Sequence, residues 1–432
     1  ITSTITIAVN DANSEDGFDG LADQNVSVAT TDNDVAGFTV VQSGGSTSVA
    51  ETGTTDTFTV VLNAQPTSDV VVLAMSSDDT GEATVSGSLT FTNTNWNTPQ
   101  TVTVTGVDDN LVDGSQVSTI TISIVDDISD NDFDAVADQT VSATTTDDDV
   151  AGFTVAQSGG STTVAETGTT DTFTLVLNAQ PAANVVLTVT SSDTGEATVN
   201  TPLTFTSVNW NTPQTVTVTG VDENIIDGTI TSTITIAVDD ANSDNDFDPV
   251  ADQTVSTTTT DNDAAGFTVA QSGGSTSVSE SGTTDTFTVA LTAQPASNVV
   301  IAISSNDTGE ATLSGTLTFT PASWNSAQTV TVTGVDDNII DGNKNSTITI
   351  TIVDSISDND FSDVADQTVT AVTTDDDAAG FALFQTPGST SSTETATTDT
   401  FTVVLTAQPA SNVVLTISSS DTGEVTVNSP LT

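Results

Sequence analysis

The chain has 432 residues, with 59 acidic side chains against one basic one, a net charge of −58, and no His, Cys or Tyr. The missing residue types exclude a Ser-His-Asp triad, a thiol nucleophile, a zinc finger and a haem ligand. With Lys344 as the only cationic side chain, the chain also lacks a basic surface for nucleic acid. The remaining carboxylates, carbonyls, hydroxyls and amides are the ligands that calcium prefers.

The sequence repeats itself with a period of about 114 residues. The tripeptide Ala-Gly-Phe recurs at spacings of 115, 114 and 114, with its glycine at Gly37, Gly152, Gly266 and Gly380. This period predicts a repeat array. We predict three full repeats and two partial ones: the end of a repeat at 1–34, full repeats at 35–149, 150–263 and 264–377, and the beginning of another at 378–432. We expect the array to continue beyond both ends.

Each repeat is predicted to be a series of short strands. Apolar residues alternate with Thr, which is typical of a strand with one buried face, and Gly, Pro and Asp separate the segments. In the second full repeat the predicted strands are 153–157, 172–177, 184–190, 198–199, 203–206, 214–220, 232–238 and 254–259. This pattern predicts an all-β fold, a tandem array of immunoglobulin-like β-sandwich domains. The longest apolar run, 70–75, is too short to span a bilayer.

Most acidic residues fall in the connections between the predicted strands. If the strands alternate in direction, the first, third, fifth and seventh major strands (153–157, 184–190, 214–220 and 254–259) all run toward one end, and the acidic connections meet there. In the first full repeat the residues expected at that end are Glu51, Asp79, Asp108, Asp109, Asp113, Asp147, Asp148 and Asp149, with Asp78 or Glu82 as further candidates. The connection before the last strand is acidic too, as in 130–134, and lies at the opposite end. It should therefore face the acidic end of the preceding repeat.

Converging carboxylates need a counter-charge. Two like charges about 4 Å apart repel by about 1 kcal/mol in water and about 4 kcal/mol near a protein surface. Calcium would turn this net repulsion into a net attraction, because it binds about 6–8 oxygen ligands. The alternative is that the acidic loops are merely solvated and keep a Thr-rich protein soluble. The segment 130–134 resembles the start of an EF-hand but lacks its glycine and its final glutamate.

The order of the acidic motifs resembles that of tandem Calx-beta domains. The motifs are Val-x-Glu at 49–51, Ser-Ser-Asp-x-Gly at 191–195, Val-Asp-Asp at 107–109 and Asp-Asp-Asp at 147–149. The resemblance implies calcium at the end of one sandwich, next to the following one, as in cadherin-like arrays. The ligands that it implies are Glu51, Asp79, Asp108, Asp109, Asp147 and Asp149; Glu166, Asp193, Asp222, Glu223, Asp261 and Asp263; Glu280, Asp307, Asp336, Asp337, Asp375 and Asp377; and Asp32 and Asp34. The number of ions per junction stays open.

These observations predict a structural role. We expect the stalk of an extracellular or cell-surface filament or adhesin, bacterial in origin, whose calcium ions stiffen the joints between neighbouring repeats. Two alternatives remain: the Thr-rich sheet faces bind a glycan or another surface, or identical chains assemble into a fibre. A two-carboxylate hydrolase is compatible with the composition, but the acidic residues recur alike in every repeat, so we expect no enzyme.

Overall fold

A computed structural model describes residues 1–67, 70–385 and 390–432. In these ranges the regular structure consists of β-strands and three-residue 3-10 turns, which confirms the predicted all-β fold. No helix within the same ranges is long and apolar enough to cross a membrane. The 3-10 turns are Asp11–Asn13, Asp16–Phe18, Ser43–Gly45, Asp126–Ile128, Asn131–Phe133, Ser158–Gly160, Asp240–Asn242, Asn245–Phe247, Ser272–Gly274, Asp354–Ile356 and Asn359–Phe361.

The strands follow the sequence repeat. The first full repeat contains β3 (Phe38–Gln42), β4 (Thr47–Ala50), β5 (Thr55–Leu62), β6 (Val71–Ser77), β7 (Ala83–Val85), β8 (Leu89–Phe91), β9 (Gln100–Gly106), β10 (Gln116–Ile124) and β11 (Gln139–Thr146). The second contains β12 (Phe153–Gln157), β13 (Thr162–Ala165), β14 (Thr170–Leu177), β15 (Val185–Ser191), β16 (Ala197–Val199), β17 (Leu203–Phe205), β18 (Gln214–Gly220), β19 (Ile230–Val238) and β20 (Gln253–Thr260). The third contains β21 (Phe267–Gln271), β22 (Thr276–Ser279), β23 (Thr284–Leu291), β24 (Val299–Ser305), β25 (Ala311–Leu313), β26 (Leu317–Phe319), β27 (Gln328–Gly334), β28 (Lys344–Ile352) and β29 (Gln367–Thr374).

The flanking segments each hold a two-stranded sheet. It is formed by β1 (Thr2–Ile7) with β2 (Gln24–Ala29) before the first full repeat, and by β30 (Phe381–Gln385) with β31 (Phe401–Leu405) after the third. The predicted boundaries at 35, 150, 264 and 378 lie in the connections that follow β2, β11, β20 and β29. They stay predictions.

Each full repeat is a sandwich of two sheets. In the first, four strands pair in the order β3-β5-β9-β7 and five in the order β4-β11-β10-β6-β8. The same order recurs in the other two repeats. All pairs are antiparallel except β4 with β11 and its equivalents, which are parallel. The predicted strand 153–157 is confirmed as β12, but β4 and its equivalents β13 and β22 were not predicted. Gly44 and Gly45 take positive φ angles of 66° and 88° and redirect the chain from β3 to β4 in the second sheet.

The core lies between the sheets. Alternate residues of the strands face inward, and the largest buried side chains in the first full repeat are Phe58, Phe91 and Phe133. Burying such a side chain contributes about 1.5–3 kcal/mol. Gly106, at the end of β9, lies so close to β4 that a Cβ there would overlap the Ala50 carbonyl oxygen. Glycine at this position therefore lets β4 approach β9 immediately before the acidic residue Glu51.

Candidate metal centres

Parallel pairing brings two acidic segments to the same end of each sandwich. β4 and β11 pair Ala50 with Thr146, so the next residue of each strand, Glu51 or Asp147, leaves the sheet at the same edge. The backbone N–H of Glu51 still donates to the Thr146 carbonyl oxygen at 3.1 Å. Two residues nearly a hundred positions apart in sequence are thus held side by side by the strand register.

Asp147 also organises the connection between β9 and β10. Its Oδ2 accepts the backbone N–H groups of Asp113 and Gly114 at 3.2 and 2.8 Å, and its Oδ1 accepts that of Asp149 at 2.7 Å. Asp109 folds the start of the same connection by accepting the Leu111 N–H at 2.7 Å. Asp261 and Asp375 bind their connections in the same way. The acidic residues of this loop are therefore held toward the exit from the last strand.

A first cluster of carboxylates forms where the last strand of the repeat ends. In each group, one oxygen atom of every residue lies within 4.8 Å of the others. Two oxygens bound to one calcium at about 2.3–2.6 Å can be separated by no more than about 5 Å, so this spacing fits a shared ion. The groups are Glu51, Asp147 and Asp149; Glu166, Asp261 and Asp263; and Glu280, Asp337 and Asp377.

A second cluster lies beside the first and shares its glutamate. Its other carboxylates come from the connections before β7 and β10 in the first full repeat, and from those before β16 and β19 in the second. The same limit of 4.8 Å applies to its oxygen atoms. The groups are Glu51, Glu82 and Asp113; and Glu166, Glu196, Glu223 and Asp227. One glutamate in each of these two repeats therefore belongs to both groups of oxygen atoms.

Burial sets these glutamates apart from solvated surface acids. Glu51, Glu166 and Glu280 are at most 1% exposed, and Glu82, Glu196 and Glu310 are also buried. Each has one buried carboxylate oxygen without a hydrogen-bond partner in the described part of the chain. An unpaired buried carboxylate oxygen is costly unless water, a proton or a cation satisfies it, so these oxygens mark candidate positions for a ligand.

The electrostatics of the clusters disfavour ionised carboxylates. Burial, followed by the charges of Asp147, Asp109 and Glu82, raises the pKa of Glu51 to about 7. Burial and the charges of Asp227 and Glu166 raise the pKa of Glu196 to about 7 as well. Burial is also the main cause of the raised pKa of Asp149, Glu166, Asp263 and Glu280. A bound divalent cation would reverse this preference by favouring the ionised form.

These shifts predict an unusual pH dependence for the metal-free protein. A carboxyl whose pKa rises from 4.5 to about 7 on folding stabilises the fold fully below pH 4.5 and loses that contribution as the pH rises through 7. We therefore expect the melting temperature in EDTA to rise as the pH is lowered from 8 to 5. Calorimetric melts in EDTA across this range would measure it. A constant or falling melting temperature would show that the clustered carboxylates are solvated.

The structure places the other predicted ligands around these clusters. Asp79, Asp193 and Asp307 each accept the backbone N–H two residues later and cap their own turn. Asp108, Asp222 and Asp336 are exposed at the rim, close enough to raise the pKa of Asp149, Asp263 and Asp377 respectively. The charge of Asp109 likewise raises the pKa of Glu51. Asp32 and Asp34 are exposed, and Asp32 accepts the Asp34 N–H at 3.0 Å.

Several residues of the second cluster were outside the predicted ligand set. Glu82, Glu196 and Glu310 follow a Thr-Gly dipeptide and directly precede a strand. In the first full repeat, the sequence named Glu82 only as a further candidate, together with Asp78. The recurring Thr-Gly-Glu was the available signal, because in each full repeat it places an acidic residue directly before the first residue of a strand, a buried Ala. Asp113 and Asp227 had been placed at this end of the repeat by topology alone.

The connection between β9 and β10 contacts the next repeat. The Gln180 N–H donates to the Asn110 carbonyl at 2.6 Å, and the Val112 N–H donates to the Gln180 carbonyl at 3.0 Å. The first of these bonds recurs from the Gln294 N–H to the Asn224 carbonyl. Both recur after the third full repeat, where the Gln408 N–H donates to the Asn338 carbonyl and the Ile340 N–H donates to the Gln408 carbonyl. Val112 packs against the core of the second full repeat, and Ile226 packs against that of the third.

Both sides of the junction between the first and second full repeats are acidic, as the sequence predicted. Asp147 and Asp149 line one wall of a cleft of about 410 Å³, and Asp246 of the following repeat lines the other. The charge of Asp246 contributes to the raised pKa of Asp113, after burial and the nearer Asp109 and Asp147. Its neighbour Asp244 has a structural role, because its Oδ2 accepts the Ala183 N–H at 2.7 Å.

A scan against protein-family models and a search of curated proteins find no match. Among solved structures, the chain is similar to an I-band fragment of titin, at 10% identity over 79% of this chain and 97% of that one, with a TM-score of 0.24. It is similar to CBD12 from CALX1.2, at 14% identity over 46% and 79%, with a TM-score of 0.20. It is also similar to domains 4-9 of the surface layer protein SbsC, at 17% identity over 86% and 56%, with a TM-score of 0.22. TM-scores this low carry no argument, so the fold assignment rests on the sheets described above.

Proposed function

We propose that this chain is a structural rod of β-sandwich repeats whose junctions are stiffened by calcium. The observation that carries the proposal is the buried glutamate with an unpaired oxygen, Glu51 or Glu166, that two clusters of carboxylates share. A calcium titration of the full chain by calorimetry, together with scattering to measure its length, tests it.

The ligand set favours calcium over other divalent cations. All side-chain donors in the clusters are carboxylates, while zinc sites usually include His or Cys, which this chain lacks. Magnesium requires near-ideal octahedral geometry and keeps several waters, whereas calcium accepts flexible, carboxylate-rich sites. In the first full repeat, Glu51, Asp147 and Asp149 would hold one ion, and Glu51, Glu82 and Asp113 a second.

The loop 109–113 would transmit calcium binding to the next repeat. Asp113 belongs to the second cluster, and Asp109 lies near enough to act on Glu51. Between them, Asn110 and Val112 form the backbone hydrogen bonds to Gln180. Without a cation, repulsion among the carboxylates favours a loosened loop, and the contact surface moves with it. With a cation, the loop and its contact to the neighbour are held together.

Substitution of the apolar residue in this loop should uncouple stiffness from calcium binding. We expect Val112→Ser with Ile226→Ser to make the rod bend at both junctions while it binds the same number of calcium ions. Each substitution removes about 1–2 kcal/mol of apolar burial from a small interface. Small-angle scattering and calorimetry of the same samples would measure the two effects. Val41→Ser, in an exposed strand position, is the control, and an unchanged maximum dimension in the double variant would contradict this role for the loop.

A location outside the cell, at the surface of a bacterium, fits the proposal. Free calcium there is high enough to fill carboxylate sites of extracellular type, whose dissociation constants reach about 0.1–1 mM. The chain has no Cys for disulfides, and metal ions would supply the cross-links in their place. The role is then to hold an adhesive or filament-forming part at a distance, with neighbouring repeats and identical chains as partners.

A second candidate function is supported by the regular Thr pairs on one sheet. Thr57 faces Thr103 and Thr59 faces Thr101, and the same pairs recur in the other two full repeats. Their hydroxyl groups could bind a glycan or another ordered surface. Binding of the chain to immobilised polysaccharides would test this function. If Thr101→Trp abolishes that binding and leaves the melting temperature unchanged, a binding module is favoured over a rod.

A further inference from the structure

The only cationic side chain of the protein lies at the acidic end of the third full repeat. Lys344 is the first residue of β28, and it pairs with Thr373 in the neighbouring strand. The equivalent positions, which have the same register, are Gln116 in the first full repeat and Ile230 in the second. The three repeats therefore differ in charge at one structurally identical position.

Lys344 contacts a residue equivalent to a second-cluster ligand. Its Nζ lies 2.6 Å from Oδ2 of Asp341, the counterpart of Asp113 and Asp227, and its side chain is 40% exposed. The ammonium group also acts electrostatically on Glu310, the counterpart of Glu82, and on Asp307 and Asp375. In the first full repeat, Gln116 instead donates its amide to the Asp113 carbonyl oxygen at 3.0 Å and adds no charge.

An ammonium group and a calcium ion compete for this position. Both are attracted to the Asp341 carboxylate, and two cations bound to the same carboxylate repel each other. The ammonium is part of the chain, so its contact with the carboxylate does not cost the translational entropy that a free ion loses when it binds. It supplies one positive charge where a calcium ion would supply two.

We propose that the Lys344 ammonium takes the place of the second cation in the third full repeat. The inference rests on the proposed function, because it assumes that the second clusters of the other repeats bind calcium. It makes the junction after residue 377 different from those after residues 149 and 263: the loop 337–341 is held in part by an internal ion pair, so its order depends less on external calcium.

Exchange of the two residues tests the proposal by ion stoichiometry. Native mass spectrometry of the full chain at saturating calcium would count the bound ions in wild type, Lys344→Gln and Gln116→Lys. We expect one ion more in Lys344→Gln and one fewer in Gln116→Lys than in wild type. Val41→Lys, which adds the same charge to an exposed position on a sheet face, should leave the count unchanged.

The outcomes separate this inference from the proposed function. If wild type binds calcium but Lys344→Gln binds the same number of ions, the assignment of Lys344 is wrong and the rod proposal stands. If wild type binds no calcium, both are overturned.

A second measurement needs no metal. Hydrogen exchange in EDTA should be faster over 337–343 in Lys344→Gln than in wild type, and slower over 109–114 in Gln116→Lys. Equal exchange in all three proteins would contradict the internal ion pair, and circular dichroism melts would establish that each variant is folded.

Discussion

Removal of calcium is expected to lower the melting temperature of the full chain and to make it bend between repeats. At a free concentration about 100 times the dissociation constant, one site contributes about 2.7 kcal/mol. For a domain of this size that corresponds to roughly 10 °C per bound ion. Scanning calorimetry and small-angle scattering, each with calcium and with EDTA, would measure the loss of stability and the shorter maximum dimension.

The control for this experiment is ionic strength. Screening by salt would relieve repulsion among solvated acids without any bound ion. Sodium chloride at the ionic strength of the calcium buffer should therefore not restore the melting temperature after EDTA, whereas a stoichiometric excess of calcium should. Equal recovery in both buffers would favour the reading that the acidic loops are merely solvated.

Replacement of the buried glutamates by glutamine is expected to have opposite effects with and without calcium. In EDTA at pH 8, the triple variant Glu51→Gln, Glu166→Gln and Glu280→Gln should melt at a higher temperature than wild type. The reason is that each substitution removes a buried charge, and the pKa of Glu51 is already raised to about 7. Addition of calcium should raise the melting temperature of the variant only a little, because it lacks the first-cluster glutamate in all three full repeats. In the first and second full repeats that glutamate also belongs to the second cluster.

A matched variant removes the same number of charges elsewhere. Asp126, Asp240 and Asp354 are exposed and lie in the connection at the opposite end of each repeat. Their replacement by asparagine should leave both the melting temperature in EDTA and the calcium response close to wild type. If the glutamate and aspartate variants behave alike, the effect is one of net charge, and the proposed metal centres are wrong.

Much of the candidate site followed from the repeat and from strand order. Glu51, Asp147 and Asp149 were expected at one end of the sandwich because they follow strands that run in the same direction. The structure brings them together, through the parallel pairing of β4 with β11. That pairing was not predicted, because β4 was missing from the predicted strands. The change of sheet that creates it depends on backbone conformation at Gly44 and Gly45 rather than on a hydrophobic pattern.

The sequence named Asp79 as a ligand and Glu82 only as a further candidate, because residue types alone do not show which of the two lies in the cluster. Both are acidic, lie three positions apart and belong to the same connection. In the folded chain, the short side chain of Asp79 reaches only the N–H of its own turn, at Gly81. The longer side chain of Glu82 is buried at the entrance to β7 and reaches the cluster. Side-chain length and direction matter only once the turn has formed.

The all-β fold, the period of the repeats and the concentration of acidic residues in connections were all predictable from the sequence. Alternation and repetition are local or periodic properties, so they can be read along the chain. The folded chain was needed to show which carboxylates share a cluster, which of the described oxygens are buried without a partner, and that the loop 109–113 contacts both a cluster and the next repeat. Those relations join residues distant in sequence, and they exist only after strand pairing has set which loops meet.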